Sequence, residues 1–190
     1  MPTVPQIGPP LLESNTHYSV SDHATTSRSE RGSLIDRGAN GGIIGNDARV
    51  IDQHHQAVDV TGIDNHELNA LRIVDAAARV TTHLGPAIVI LRQYALLGTG
   101  RTIHSAGQFE HYKNMVHDRS MRVGGTQCIR TNDGYIIPLD IINGLPYMKM
   151  FPATDTEFTE LPHVILTSGA QWDPRVLDHS HTDQEDWYNT

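Results

Sequence analysis

Residues 33–45 read SLIDRGANGGIIG. The apolar pair Leu34 and Ile35 leads into Asp36, and four glycines follow within residues 38–45. Glycine adopts tight or left-handed backbone conformations that other residues avoid, so this composition is typical of a shaped loop beside a strand. The sequence therefore predicts that a strand ends at Asp36 and that a tightly turned loop begins there.

The composition of the chain limits the kinds of protein that it can be. It has 190 residues and a formal net charge of −8, which suits one domain and argues against a nucleic-acid surface, because phosphate binding needs clustered Lys and Arg. No apolar run reaches the roughly 18 residues that a membrane helix needs. The first residues lack the basic and apolar regions of a signal peptide, and Cys128 is the one cysteine. We therefore expect an intracellular protein with neither a disulfide framework nor nucleic-acid or membrane partners.

Short apolar runs separated by glycine-containing turns predict an all-β fold. The runs lie at residues 57–63, 87–91, 120–129 and 135–142. Several of them alternate apolar and polar residues, as strands with one buried face do. The clearest hairpin is predicted at Asn132-Asp133-Gly134, whose Asp-Gly pair supplies the positive φ of a tight turn. This pattern favours a barrel or a sandwich.

Three segments have a helical tendency. Residues 65–80 carry apolar positions near helical spacing, so strand and helix are both open there. Residues 106–116 and residues 155–161 are candidates for short helices.

The composition also divides the chain into a domain with two flanks. Residues 1–32 are rich in Pro, Ser, Thr and His, so we expect a disordered linker before a domain at residues 33–150. Residues 151–190 are acidic and interrupted by prolines, and we expect a linker or tail there in which Trp172 and Trp187 are isolated aromatics.

Asp36 is the residue best placed for chemistry, because a carboxylate at the start of a glycine-rich turn can approach a substrate and a second carboxylate. When two carboxylates lie within about 3 Å, they cannot both ionise, so they share a proton. Such a dyad activates water as a base and protonates the leaving amine as an acid. The simpler interpretation is that Asp36 only hydrogen-bonds its own turn.

Residues 34–40 resemble the active-site loop of retropepsin-like aspartic proteases, whose pattern is apolar-apolar-Asp-Ser/Thr-Gly-Ala. The chain that follows is similar to the protease segment of copia-type retrotransposon polyproteins. The matching elements occur in order over residues 33–150, and they are Ile43-Ile44-Gly45, Ile88 to Leu91 with Tyr94, His104 to Phe109, Cys128 to Tyr135, and Gly144 to Met148. This resemblance favours strands over a helix for residues 65–80.

The resemblance implies a closed retropepsin-like β-barrel with one or two short helices. It implies a peptide hydrolase that processes a retrotransposon polyprotein, in the cytoplasm or a virus-like particle, with Asp36 as the catalytic residue and no cofactor or metal. Because the sequence has only one such Asp loop, the second Asp36 must come from another copy in a twofold homodimer. A flap is expected from the region after Gly62. A second family signature, two apolar residues and a glycine before a helix, is matched by Leu96-Leu97-Gly98.

The loop departs from the family pattern at one position. Where the pattern has Ser or Thr, this chain has Arg37, followed by Gly38, Ala39 and Asn40. In the family that hydroxyl joins the two active-site loops across the dimer axis, and arginine has no acceptor with which to repeat the contact. Two Arg37 cations near the dyad would also favour ionisation of both Asp36 groups. We therefore expect weak or absent activity unless Arg37 points away to solvent, and an inactive β-barrel acting as a structural or interaction module is the second hypothesis.

Other patterns carry less specific signals. The chain has 12 histidines without the spacing that puts two metal ligands on one helix face, so a histidine metal protein is a third hypothesis and exposed loop histidines are the simpler interpretation. His104 and Ser105 are neighbours, which superficially suggests nucleophilic catalysis by a serine and a histidine. Adjacent strand residues point to opposite faces, so the two are not expected to act together. The glycines of residues 38–45 match neither a dinucleotide fingerprint nor a P-loop. Cys128 is expected to be a small core residue.

Overall fold

The computed structural model describes residue 9 and residues 16–19, 32–62 and 66–178 of the chain. Most of the regular structure in these residues is β-strand, so the all-β class predicted from the sequence is confirmed. The strands are β1 His17–Ser19, β2 Ser33–Asp36, β3 Ile43–Ile44, β4 Arg49–Thr61, β5 Glu67–Thr82, β6 Gly85–Leu96, β7 Ile103–Ser105, β8 Met115–His117, β9 Cys128–Arg130, β10 Ile136–Pro138, β11 Asp140–Ile142, β12 Leu145–Met148, β13 Phe151–Pro152 and β14 His163–Ile165. The α-helices are α1 Ala106–His111 and α2 Asp155–Glu160, and short 3-10 helices occur at Met121–Val123 and Pro174–Leu177. Within the described residues, no helix has the length and apolar character needed to cross a membrane.

A large sheet contains most of the strands, in the order β1-β4-β5-β6-β3-β7-β2-β12-β11. β13 pairs with β5 and β14 with β6, while β8, β9 and β10 form a separate antiparallel sheet. β7 lies between β2 and β3, parallel to β2 and antiparallel to β3. The connection from β2 to β3, residues 37–42, therefore passes the end of β7, and Asp36 stands where this connection begins.

Most of β6 and the part of β5 that follows Leu71 are buried on both faces, and apolar residues predominate in these stretches. Side chains such as Ala78 and Val89 face the main core. Ile88 and Ile90, which alternate with them, face a smaller cluster around α2 that includes Ala153. The paired strands β5 and β6 thus contribute side chains to both of these clusters.

The predicted secondary structure is confirmed at several places. β5 forms a strand over residues 67–80 of the segment 65–80, which agrees with the resemblance rather than with the helical spacing. α1 fills the first half of the segment 106–116, and α2 lies within 155–161. The hairpin predicted at Asn132-Asp133-Gly134 joins β9 to β10, and Gly134 has the positive φ of +95° that the turn requires.

Residues 151–178 are folded, so the expectation of a tail beginning at residue 151 is wrong for this stretch. β14 pairs in parallel with β6, and Val164 and Leu166 are fully buried. Trp172 is only 2% exposed and belongs to a second core cluster. The prolines and acidic residues that suggest a tail lie between these apolar anchors. Residues 179–190 lie outside the described residues.

Part of the expected N-terminal linker is the strand β1, so the expectation of disorder is wrong for residues 17–19. His17–Ser19 pair in parallel with residues 59–61 of β4. Tyr18 is 0% exposed and belongs to the second core cluster. Residues 1–8, 10–15 and 20–31 lie outside the described residues, so the remainder of the linker prediction is not addressed by the structure.

Candidate functional site

The carboxyl group of Asp36 has two oxygens in different environments. Oδ1 accepts a hydrogen bond from the backbone N–H of Gly38 at 2.7 Å, which is the turn contact of the simpler interpretation. Oδ2 is buried and has no hydrogen-bond partner among the described residues. A buried acceptor left without a partner costs about 1–3 kcal/mol, more when it is charged. One oxygen of Asp36 therefore shapes the loop, and the other is a buried acceptor for which the described residues supply no partner.

The glycines of the loop are required by close packing. A Cβ atom on Gly41 would lie 2.5 Å from the ring of Tyr18, and one on Gly42 would overlap the ring of Tyr94. A Cβ atom on Gly45 would collide with the carbonyl group of Gly100. The glycines of residues 38–45 are not among those with positive φ, so of the two backbone types expected there, tight or left-handed, the left-handed one does not occur at these glycines. Glycine serves instead to let two aromatic rings and a neighbouring loop approach the backbone.

Arg37 is bound by acidic groups of its own chain. Its Nη1 atom lies 2.6 Å from Oε1 of Glu110, and its Nε atom lies 2.9 Å from Oδ2 of Asp118. Its Nη2 atom also donates to the carbonyl oxygen of Val116 at 3.1 Å. Burial lowers the pKa of Arg37, but the hydrogen bonds to Glu110 and Asp118 outweigh burial and raise this pKa above its ordinary value. The half-exposed guanidinium is therefore a permanent cation whose charge is compensated by two carboxylates.

The C-terminal segment holds the other end of the loop. The indole N–H of Trp172 donates to the carbonyl oxygen of Asn40 at 2.8 Å. Ala39, just before it, is buried in the same apolar cluster as Trp172. Trp172 is thus a site residue that the sequence does not reveal, because an isolated tryptophan between acidic and proline residues gives no periodic signal.

Gln93 joins four elements around the loop. Its backbone adopts a left-handed φ of 64°, and the residue is buried. Its N–H donates to Oδ1 of Asp75 at 3.2 Å, and its carbonyl oxygen accepts from the hydroxyl of Tyr18 at 3.1 Å. Its side chain accepts from the backbone N–H of Trp172 at 3.2 Å and donates to the carbonyl oxygen of Gly169 at 3.4 Å. Gln93 therefore links β5, β1 and the C-terminal segment to β6.

A buried polar chain lies behind the loop. The hydroxyl of Tyr94 lies 2.7 Å from Nδ1 of His104, and Nε2 of His104 lies 2.9 Å from Oγ of Ser33. Ser33 donates its hydroxyl proton to the carbonyl oxygen of Met148 at 2.7 Å, so its oxygen accepts the Nε2 proton of His104. Ser105 Oγ instead accepts from the N–H of Gln108 and caps α1. These separate contacts give His104 and Ser105 structural roles, as the strand geometry predicts.

One group of side chains could hold a metal ion. Among the described residues, Asp52, His54 and Asp75 bring ligand atoms within 4.8 Å of one another. Nε2 of His54 lies 2.9 Å from Oδ1 of Asp75, which also accepts the N–H of Gln93. These hydrogen bonds already use the buried carboxylate to join β4, β5 and β6. The expectation that the protein needs no metal ion stays a prediction.

The structure gives different outcomes for the expected flap and the second signature. β4 and β5 form a long antiparallel hairpin, closed where Gly62 N–H donates to the carbonyl oxygen of His66 at 2.8 Å. This is the region where a flap is expected, and residues 63–65 lie outside the described residues. The assignment of the second signature to Leu96-Leu97-Gly98 is wrong, because no helix follows it and Gly98 turns the chain with a φ of 79°. α1 instead follows β7.

Comparison of the chain with known proteins identifies no relative. No family model, no curated protein and no solved structure matches the chain.

Proposed function

We propose that this protein is a retropepsin-like aspartic endopeptidase that cleaves a retrotransposon polyprotein and acts as a twofold homodimer. The observation that carries the proposal is the carboxyl group of Asp36, with Oδ1 held by Gly38 and Oδ2 buried without a partner among the described residues. A second Asp36 across a twofold axis would supply that partner, because two adjacent carboxyls share one proton as a hydrogen bond.

The chemistry follows from the two protonation states of such a pair. The ionised carboxyl takes a proton from a water molecule, and the water oxygen bonds to the carbonyl carbon of the peptide. The protonated carboxyl gives its proton to the peptide nitrogen, and the C–N bond then breaks. Both protons come from water and the dyad, so the reaction balances without a cofactor or a metal ion.

The surrounding fold supports a catalytic carboxyl that is held at the end of a strand. β7 lies between β2 and β3, so the loop that follows Asp36 is attached to strands at both ends. The β4–β5 hairpin is the candidate flap, and closure of the large sheet into a retropepsin-like barrel is part of the proposal. The proposed substrate, an extended peptide, would lie between this hairpin and the loop that follows Asp36.

The contacts of Arg37 favour activity. The expected inhibition depends on uncompensated cations beside the dyad, and Arg37 is instead paired with Glu110 and Asp118. An inactive β module remains the second candidate, and the observation in its favour is that Arg37 replaces the hydroxyl that would join two loops.

The test is cleavage of a peptide library by the full chain across pH 3–8. We expect acid-shifted cleavage that a transition-state mimic such as pepstatin blocks and that Asp36→Asn abolishes. Asp155→Asn is the matched control, since its carboxyl lies on α2 with a side chain that is 91% exposed. Mixing the wild-type chain with Asp36→Asn should lower activity below simple dilution, because mixed dimers lack the dyad.

Two outcomes would count against the protease. Cleavage that survives in Asp36→Asn would exclude Asp36 as the catalytic group. If neither the chain nor its Arg37→Ser variant cleaves any peptide at any pH, the inactive module would be favoured.

A further inference from the structure

The side chain of Tyr18 fills an apolar pocket beside the Asp36 loop. Its ring packs on the backbone of Gly41, and the residue is completely buried. The same apolar cluster contains Ala39 from the loop, Val58 from the hairpin and Trp172 from the C-terminal segment. The pocket is therefore walled by the two elements between which the proposed function places its substrate.

The backbone of β1 is bound as an added strand. β1 pairs with the edge of β4 that β5 does not use, with Tyr18 opposite Val60. Beside it, Nε2 of His17 lies 2.6 Å from Oγ1 of Thr61. Proteins commonly bind extended peptides in this way, with affinity from the backbone pairing and specificity from a side-chain pocket.

The pocket distinguishes tyrosine from other apolar residues. The hydroxyl of Tyr18 donates to the carbonyl oxygen of Gln93 at 3.1 Å. That carbonyl is held in place by the left-handed backbone of Gln93 and by the contacts of its N–H and side chain. A phenylalanine would fill the same space and leave this buried acceptor with one hydrogen bond fewer.

We propose that this pocket is a binding site for the tyrosine side chain of an extended peptide, and that residues 16–19 are its occupant within the chain. The proposal rests on the proposed function in identifying the pocket as a substrate subsite. A segment tethered to its own site competes at an effective concentration in the millimolar range. Peptides from outside therefore bind only when β1 leaves, and residues 16–19 act as a built-in competitor.

The test is binding of a fluorescent peptide with the sequence of residues 14–21, SNTHYSVS, measured by anisotropy. All variants of the full chain carry Asp36→Asn, so that the peptide stays intact and the measurement is independent of catalysis. We expect Tyr18→Ala to bind the peptide at least about tenfold more tightly than the chain with Tyr18, because the competitor is weakened. Tyr135→Ala, a tyrosine of the β9–β10 hairpin, is the control and should leave the affinity unchanged.

The peptide itself provides the specificity test. Replacing its tyrosine by alanine should abolish binding, and replacing it by phenylalanine should weaken binding about 3- to 10-fold through loss of one hydrogen bond. If Tyr18→Ala stays folded by circular dichroism and binds no peptide, Tyr18 is an ordinary core residue and the proposal is overturned.

A second variant covers the case in which Tyr18→Ala does not fold. Tyr18→Phe keeps the ring and should raise the affinity for the peptide about 3- to 10-fold. Equal affinities of Tyr18→Phe and the chain with Tyr18 would overturn the proposal. Peptide binding by a chain without any cleavage would refute only the protease, whereas Asp36-dependent cleavage without peptide binding would refute only the pocket.

Discussion

The Nη1 atom of Arg37 lies 2.6 Å from Oε1 of Glu110, so the loop that begins at Asp36 is tied to the last turn of α1. Asp118 binds the other side of the same guanidinium, at 2.9 Å from its Nε atom. The residue that departs from the protease pattern thus directs its charge to two carboxylates of its own chain, Glu110 on α1 and Asp118 just after β8.

Removing both carboxylates should therefore impair the proposed protease. In Glu110→Gln combined with Asp118→Asn, the Arg37 cation is uncompensated beside Asp36, and we expect kcat/KM to fall at least about tenfold. Adding Arg37→Ser should restore most of the activity. Stability should change by less than about 1 kcal/mol, since exposed ion pairs contribute little. Glu157→Gln on α2, which removes the ion pair between Glu157 and Arg79 of β5, is the control. Unaltered kcat/KM in the double variant would contradict the role given to this charge pair.

Gln93 should respond differently to alanine and to glycine. Both substitutions remove the side-chain contacts to Trp172 and Gly169, but alanine keeps a Cβ atom at the left-handed φ of 64° and glycine does not. We expect Gln93→Ala to be less stable than Gln93→Gly by about 1 kcal/mol in urea unfolding followed by circular dichroism. The opposite order would mean that the backbone at this position is not strained.

Stability should fall at high pH because of two buried tyrosines. Burial is the main cause that raises the pKa of Tyr94 and of Tyr18 above the ordinary value of 10.0. Above about pH 10 the unfolded chain loses these protons while the folded chain keeps them, so the free energy of unfolding decreases as pH rises. Below that pH the contribution is constant. Tyr94→Phe should reduce the slope above pH 10 by about 1.4 kcal/mol per pH unit, measured by urea unfolding at several pH values. A slope equal to that of the unsubstituted protein would refute this prediction.

The folded C-terminal segment sets where the chain can be shortened. A chain that ends after Met150 loses β14 and Trp172, and with them the cover of β6 and the contact to Asn40. We expect it to lack a cooperative thermal transition, whereas the full chain should show one. A cooperative transition in the shorter chain would show that residues 151–178 are dispensable.

Local signals in the sequence are sufficient for part of this structure. The hairpin at Asp133-Gly134 follows from the backbone preference of one residue, and Asp36 at the end of β2 follows from an apolar pair beside glycines. The alternation of Met121-Arg122-Val123 suggests a strand and is misleading. Met121 and Val123 are 69% and 68% exposed, so no neighbouring layer stabilises a strand and a 3-10 helix forms.

Other features depend on residues that are far apart in the chain. Trp172 and Asn40 are separated by 132 positions, and no local pattern connects them. The same is true of the loop glycines, whose purpose is visible only when the rings of Tyr18 and Tyr94 are in place. Composition averaged over residues 151–190 hides a few buried side chains among many polar ones, which is why that region is mistaken for a tail.

The hydrogen bond from Trp172 to Asn40 gives the protein an intrinsic optical reporter. The chain has two tryptophans, and Trp187→Phe leaves a single indole. That indole donates to the carbonyl oxygen of Asn40, four positions beyond Asp36, and the ring of His111 lies 5.4 Å from it. Its emission wavelength and lifetime would then follow the arrival of an inhibitor or a second protomer in real time, without any attached label.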